Sequence, residues 1–233
     1  MERAGPREYL YFDPSKTKVA IVTCGGLCPG LNNVIRGIVM QLYTRYGVKR
    51  IIGIKYGYEG FIPKYGHDII DLKPERVVHI HEMGGSILGS SRGPQSIDEI
   101  IDSLERMNIG LLFMIGGDGT LTAASRITDN IADRGLKIGV VGVPKTIDND
   151  LSGTDVTFGF DTAVSFATEA IDRLQTTASA HHRVMVVETM GRYAGWIALH
   201  AGVAGTADAI LIPEIEYDIE KVAAKVRQRQ AIG

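Results

Sequence analysis

The sequence predicts an α/β fold built on a parallel sheet covered by helices on both faces. Two observations carry this expectation. Runs such as KVAIVT at 18–23, LLFMIG at 111–116 and the stretch at 138–143 are apolar throughout rather than at every second residue, the pattern of strands buried on both faces. Between them lie segments whose apolar residues recur with helical spacing. No internal repeat, heptad seam or low-complexity tract interrupts the alternation.

The elements follow in order. After a polar, proline-punctuated leader without an apolar signal core, residues 18–23 form the first predicted strand. GGLCPG comes next, and then Val34, Ile35, Ile38, Val39, Leu42, Tyr43 and Tyr46 fall on one helical stripe. The glycines therefore occupy a strand-to-helix turn, where bare backbone donors can meet a phosphate. Residues 50–55 read as a second strand, KYGYEGFIPKYG as a loop or interrupted element, and HDIIDLK as a short strand. HEMGGSILGSSRGP, which contains Arg92, reads as a loop. Ser96 and Glu99 have the spacing of a capping box, and Ile97, Ile100, Ile101, Leu104 and Met107 continue as a helix ending near Gly110. LLFMIG is a buried strand, GGDGT a glycine turn, and 121–134 an amphipathic helix closed by Gly135.

The next strand, from residue 138, is expected to stop at Pro144, which has no backbone donor. A looser segment leads to a helix over 162–177. RVMVVET, AGWIALHAGVAG, ADAILIP and DIEKVAAKVRQRQ then read as strand, helix, strand, helix. The alternation calls for another strand after the last helix, so the sequence reads as the front part of a longer protein.

Composition narrows the function classes. With 233 residues, 45% hydrophobic and 22% charged, the chain can bury an independent core. A net charge of -2 gives no electrostatic case for nucleic acid or an anionic membrane, so any anionic ligand must be bound locally. No apolar run approaches the ~20 residues of a membrane span, and the reading is cytoplasmic. Cys24 and Cys28 are the only two cysteines, too few for a disulfide framework and without a second pair of metal ligands. His79 with His81, and His181 with His182, read as solvated or core histidines.

Chemistry concentrates just past Pro144. Lys145, Thr146, Asp148, Asn149 and Asp150 supply a cation, a hydroxyl and carboxylates at the carboxyl end of a strand, where ligands bind in open α/β sheets. If the chain continues extended, Thr146, Asp148 and Asp150 project to one side and Lys145 and Asn149 to the other. One carboxylate could then act as a base while its neighbour pairs with a cation. The same residues also suit a polar turn. In GGDGT, Asp118 would repel a phosphate unless a cation stood between them, which suits a holder of phosphate-bound Mg²⁺; the alternative is a helix cap. Arg92 is either a phosphate bridge or a solvated arginine. Arg192, in MGR, follows a predicted strand end, where it could meet Asp148 and Asp150 or form a structural ion pair.

TCGGLCPGLN, LGSSRG, GGDGT, PKTIDND, GFDTA and MGRYAGW occur in this order between Thr23 and Trp196, and as an ordered set they resemble the phosphofructokinase family. The resemblance implies two α/β domains, a phosphate-donor domain at 1–160 and part of a smaller sugar-phosphate domain at 161–233. It implies phosphoryl transfer from ATP with Mg²⁺ to the 1-hydroxyl of fructose 6-phosphate, a step of glycolysis, in a homo-oligomer. Asp148 matches the catalytic base, with Thr146 and Asp150 beside it. Met190, Gly191 and Arg192 match sugar-phosphate and transition-state contacts, and Arg183 an arginine that reaches a neighbouring subunit's sugar phosphate. Gly26, Arg92, Gly93, Gly117, Asp118, Gly119 and Thr120 match the donor site, and Asp118 the magnesium position.

Two positions bear on the donor. Gly119 resembles the ATP users, since pyrophosphate users carry an aspartate there. Lys145 resembles the pyrophosphate branch, and a lineage of ATP users similar to that branch combines both. The expectation is therefore ATP, with a pyrophosphate enzyme and a non-catalytic nucleotide-binding subunit as alternatives. A nucleotide or lipid kinase could also carry GGDGT but would not require PKTIDND and MGR. Leu27 stands where many members have aspartate, a second donor-site arginine does not follow Arg92, and the family's later sugar-binding residues fall outside this sequence.

Overall fold

The computed structural model describes residues 8–232; the start of the leader, residues 1–7, and residue 233 lie outside them. The chain divides into two compact units, 1–145 and 146–233. The domain boundary expected after residue 160 compares with a division after Lys145.

The first unit is organised around β1 (Lys18–Thr23), whose residues from Val19 to Val22 are fully buried. It pairs in parallel with β2 (Arg50–Ile54) on one side and β4 (Leu111–Gly116) on the other. A short β3 (Ile69–Asp71) runs antiparallel to β2, and β5 (Gly139–Thr146) runs parallel to β4, giving the order β3-β2-β1-β4-β5 in this unit. On one face Ala20, Val22, Ile52, Ile54, Leu112 and Met114 share a core with Ile100, Ile101, Leu104, Ile127 and Ile131. The alternate residues Val19, Ile21 and Ile51 point to the other face and are equally buried. Burial on both faces is the reason these strands read as continuous apolar runs.

Helices cover the sheet as their spacing predicts. In α1 (Leu31–Met40), Leu31, Asn32, Ile35 and Val39 are buried, and a π-helical turn (Gln41–Arg45) continues it. Gly30 begins α1 at φ 96, a left-handed conformation that glycine adopts without steric cost. After 3-10 turns at Gly57–Phe61 and Pro63–Tyr65 come β3 and α2 (Pro74–Val77). In α3 (Ile97–Arg106) the Ser96 hydroxyl accepts a bond from the Glu99 amide at 3.3 Å. Ser96→Ala is expected to cost about 1 kcal/mol of stability, read as a lower Tm or urea midpoint with an unchanged m-value.

α4 (Asp118–Asp133) begins three residues before the expected start at 121, inside GGDGT. Polar and glycine residues give no apolar period there, so periodicity alone could not find its first turn. β5 does not stop at Pro144, which stands in register with Gly116 and is followed in the strand by Lys145 and Thr146. Proline lacks only the amide and keeps its carbonyl, and it stands near the carboxyl end of β5, so it removes at most one ladder bond without ending the strand.

The second unit holds β6 (Phe158–Gly159), α5 (Phe160–His181), α6 (Trp196–Ala204) and α7 (Ile219–Ile232). α5 and α6 pack through Phe160 and His200, whose rings meet edge-on at 5.3 Å. The Gln175 side chain donates to the Gly205 carbonyl at 3.0 Å. The strands expected at 183–189 and 207–213 are not formed. An apolar run becomes a strand only where a neighbouring backbone takes up its N–H and C=O groups, and neither segment has such a neighbour among the described residues. Val186 is 91% exposed. Ile210 and Ile212 instead lie against Gly202 and Gly195.

Candidate functional site

The strand order reverses between β1 and β4, so connections leave these adjacent parallel strands in opposite directions, and the carboxyl ends of strands at such a reversal are where ligands bind in open α/β sheets. Both predicted phosphate turns emerge there. The backbone joins them directly, with the Cys24 amide donating to the Ile115 carbonyl at 2.9 Å. A third segment, the loop containing Arg92, is fastened to the first turn. The Thr23 hydroxyl donates to the Gly89 carbonyl at 2.5 Å, Ser90 Oγ to the Gly25 carbonyl at 2.6 Å, and the Gly25 amide to the Ser91 carbonyl at 3.1 Å. Arg92 consequently stands beside Gly26: a methyl on Gly26 would lie 3.4 Å from a guanidinium nitrogen. The guanidinium itself is exposed, and Gly93 follows it. Gly26 thus leaves open the space in front of a held cation.

In the second turn, Gly117 precedes α4, and its carbonyl accepts from the amides of Thr120 and Leu121 at 2.9 and 3.0 Å. The amides of Asp118 and Gly119 are left outside the helical ladder at the positive end of α4. Asp118 and Gly119 are exposed, and nothing lies within 4 Å of where a Gly119 side chain would start. Thr120 is buried against Gly116, so this residue shapes the turn from inside. Asp118 fits a divalent cation of the magnesium type, which is held by one or two carboxylates plus substrate phosphates and keeps several waters. No group of three or more His, Cys, Asp or Glu side chains forms a metal cage among the described residues.

Behind the turns lies a buried polar layer that motif reading did not identify. The Tyr58 hydroxyl donates to the Thr120 carbonyl at 3.4 Å and lies within hydrogen-bonding reach of Cys24. Burial pushes the Cys24 thiol up to about 12 and the Cys28 thiol up to about 11, against the opposing charge of Lys145. Burial likewise raises the Tyr58 hydroxyl above its ordinary range. Lys145 itself is 6% exposed. Taking an ammonium out of water is costly, and an anion brought to the site would offset part of that cost.

An unfolded chain ionises both cysteines from about their ordinary value of 9.0, whereas the folded chain holds them protonated to about 11 and 12. Their contribution to stability is full below pH 9 and is lost as pH rises through those folded values. At pH 8, iodoacetamide is expected to label the native protein at least about tenfold more slowly than the chain in guanidinium, by intact-mass spectrometry. Equal rates would contradict the burial of these thiols.

The second unit begins with the remaining PKTIDND residues. Beyond Thr146 the chain is not extended. The Asp148 amide donates to Thr146 Oγ1 at 3.1 Å, and Asn149 adopts a left-handed φ of 52. The alternating projection expected of Thr146, Asp148 and Asp150 is therefore replaced by a tight turn, which Thr and Asn side chains favour over a strand. Thr157, fully buried, pins it: its hydroxyl donates to the Thr146 carbonyl at 2.8 Å and its amide to Asn149 Oδ1 at 2.9 Å. Asp148 is half-buried and Asp150 exposed.

Further along this unit, the Arg183 amide closes the end of α5 on the Ala178 carbonyl at 3.0 Å, leaving its side chain exposed. Met190 and Arg192 are exposed, and the Arg192 guanidinium lies 4.7 Å over the Tyr193 ring. Gly191, at φ 138, makes the turn in which its carbonyl accepts the Ala194 amide at 2.8 Å. A side chain there would collide with the Ala194 backbone. The Gly195 amide donates to Glu214 Oε1 at 2.7 Å and fixes the following start of α6.

Comparisons with known proteins converge. The family profile described as Phosphofructokinase matches residues 18–233. An ATP-dependent 6-phosphofructokinase of Entamoeba histolytica is 51% identical over 231 residues, covering 98% of this chain and 53% of that protein. Among solved structures, Pichia pastoris phosphofructokinase in the T-state matches with a TM-score of 0.80 at 27% identity, covering 94% of this chain and 23% of that one. A pyrophosphate-dependent phosphofructokinase from Marinobacter aquaeolei matches with a TM-score of 0.79 at 25% identity, covering 91% and 57%. The chain spans about half the length of the curated relatives it matches, 53%, 50% and 48% for three of them.

Proposed function

The chain belongs to the phosphofructokinase family, and from that premise we propose that it transfers the γ-phosphoryl group of ATP to the 1-hydroxyl of fructose 6-phosphate. The observation that carries this reading is at the carboxyl ends of β1 and β4, where two glycine turns and the Arg92 loop are bonded into one cradle. Arg92, the amides of Asp118 and Gly119, and the buried charge of Lys145 are the groups in it that favour a polyphosphate. Asp118 would hold Mg²⁺, which when bound neutralises charge on the phosphate oxygens.

In the second unit, Asp148 would accept the proton of the sugar hydroxyl, with Thr146 and Asp150 beside it and Arg192 stabilising the transferring group. Met190, Gly191 and Arg183 would contact the sugar phosphate, Arg183 that of a neighbouring subunit in a homo-oligomer. The transition state of phosphoryl transfer is loose, so positioning and charge contribute more than complete proton removal. A cytoplasmic site of action belongs to the same reading. Among the described residues no helix is long and apolar enough to cross a membrane.

A coupled assay of the full-length protein with Mg·ATP or Mg·pyrophosphate against fructose 6-phosphate and other sugar phosphates tests the proposal. The expected result is turnover with ATP and fructose 6-phosphate. Turnover only with pyrophosphate would favour the second reading, for which the resemblance of Lys145 to the pyrophosphate branch speaks. Mg·ATP binding without turnover would identify a nucleotide-binding domain.

A further inference from the structure

Asn32 is the most buried side-chain amide attached to the cradle, at 2% exposure, and it lies on the inward stripe of α1 between Leu31 and Ile35. A primary amide has both donors and an acceptor to satisfy, and burial makes an unsatisfied one expensive. Asn32 uses both ends on one target. Its Nδ2 donates to the Met83 carbonyl at 3.0 Å, and its Oδ1 accepts the Ile87 amide at 2.9 Å. These two contacts close a ring around 83–87, at the entrance of the loop that ends in Arg92.

The loop is then held stepwise along its length. Ser86 Oγ pairs with Thr23 Oγ1 at 2.9 Å, the Tyr56 amide donates to Leu88 at 2.8 Å, and Thr23 and Ser90 bond across to and from the first turn at Gly89 and Gly25. Gly85, Gly89 and Gly93 all have positive φ, so the loop has little regular structure of its own to hold it in place. Its geometry is imposed from outside, and Asn32 supplies the anchor nearest its start.

We propose that Asn32 is a positioning residue for nucleotide binding, fixing the 83–92 loop so that Arg92 stands over Gly26 before the polyphosphate arrives. This rests on the donor-site reading above. Its chemistry is preorganisation: a guanidinium on an untethered loop must be ordered at the moment of binding, and the affinity falls by that cost.

The test is a double-mutant cycle on the affinity of the full chain for Mg·ATP, measured by titration calorimetry. Asn32→Ala and Arg92→Met are each expected to weaken binding by about tenfold, as for the loss of one or two buried or charge-assisted hydrogen bonds. The double variant is expected to be only slightly weaker than Arg92→Met, because the anchor acts through the arginine. In turnover, KM for ATP should rise more than kcat falls.

Multiplying effects in the double variant, or a lowered Tm with unchanged ATP affinity, would overturn the proposal and leave Asn32 a packing residue. If Asn32→Ala does not fold, the same cycle is run with Ser90→Ala, which removes the loop's tie to Gly25 and carries the same expectation. Wild-type protein that fails to bind Mg·ATP refutes the donor-site reading itself, and this control separates the two failures.

Discussion

Asp148→Asn is expected to lower kcat by about 10²- to 10⁴-fold, the range for loss of a positioned general base, while the affinity for Mg·ATP stays within about twofold. The amide is nearly isosteric with the carboxylate but cannot take the proton of a sugar hydroxyl. The local turn does not depend on the charge, since it is the Asp148 backbone amide that bonds Thr146 Oγ1. Asn149 and Thr157 hold the rest of it through contacts the substitution leaves alone. The donor cradle is built from residues of the first unit, so nucleotide binding should survive. Steady-state kinetics, calorimetry with Mg·ATP and a melting curve check the three parts separately. An undiminished kcat in a correctly folded variant would remove Asp148 from the chemistry; loss of nucleotide binding as well would show that its charge serves the donor.

How far such a site can be read from sequence depends on whether the information is local. β1, β2 and β4 were legible because burial on both faces makes their runs apolar end to end, and α3 because Ser96 and Glu99 mark its start. The two glycine turns after β1 and β4 were legible as strand-to-helix connections because each GG stretch stands between an apolar run and a helical stripe. The path of the chain after Thr146 was not. Its turn is set by Thr157, a residue whose role is invisible until the fold brings its hydroxyl to the Thr146 carbonyl. The same holds for Asn32 and Tyr58, which act on carbonyls and amides far along the chain. One clue was present: a polar residue on the inward stripe of α1 must be satisfied by something, and the question of what satisfies it points to the loop. The runs at 183–189 and 207–213 mark the opposite limit, because an apolar period states a preference for burial and leaves open whether a pairing partner exists.

Gly119→Asp is expected to weaken ATP binding by between about tenfold and about a thousandfold, the span of one to a few kcal/mol for a like-charge contact near a protein surface, and to leave the fold intact. Nothing lies within 4 Å of a side chain starting at Gly119, and the residue is exposed in the first turn of α4. A carboxylate near the amino end of a helix is, if anything, stabilising, so Tm should not fall. The neighbouring Gly116 makes the contrast. A methyl there would overlap the buried Thr120 side chain, so Gly116→Ala would disturb the turn's shape and could not separate charge from geometry. At Gly119 the added group changes charge and volume only on the open side of the cradle, where an α-phosphate would come and a pyrophosphate would have none to place. Lys145, buried behind the turns, remains to favour either anion. The expected pattern is therefore a rise in KM for ATP with much less change for pyrophosphate, measured on the same preparation. Equal losses for both donors would mean that Gly119 faces the shared phosphates, and an unchanged KM for ATP would place the nucleotide away from Gly119.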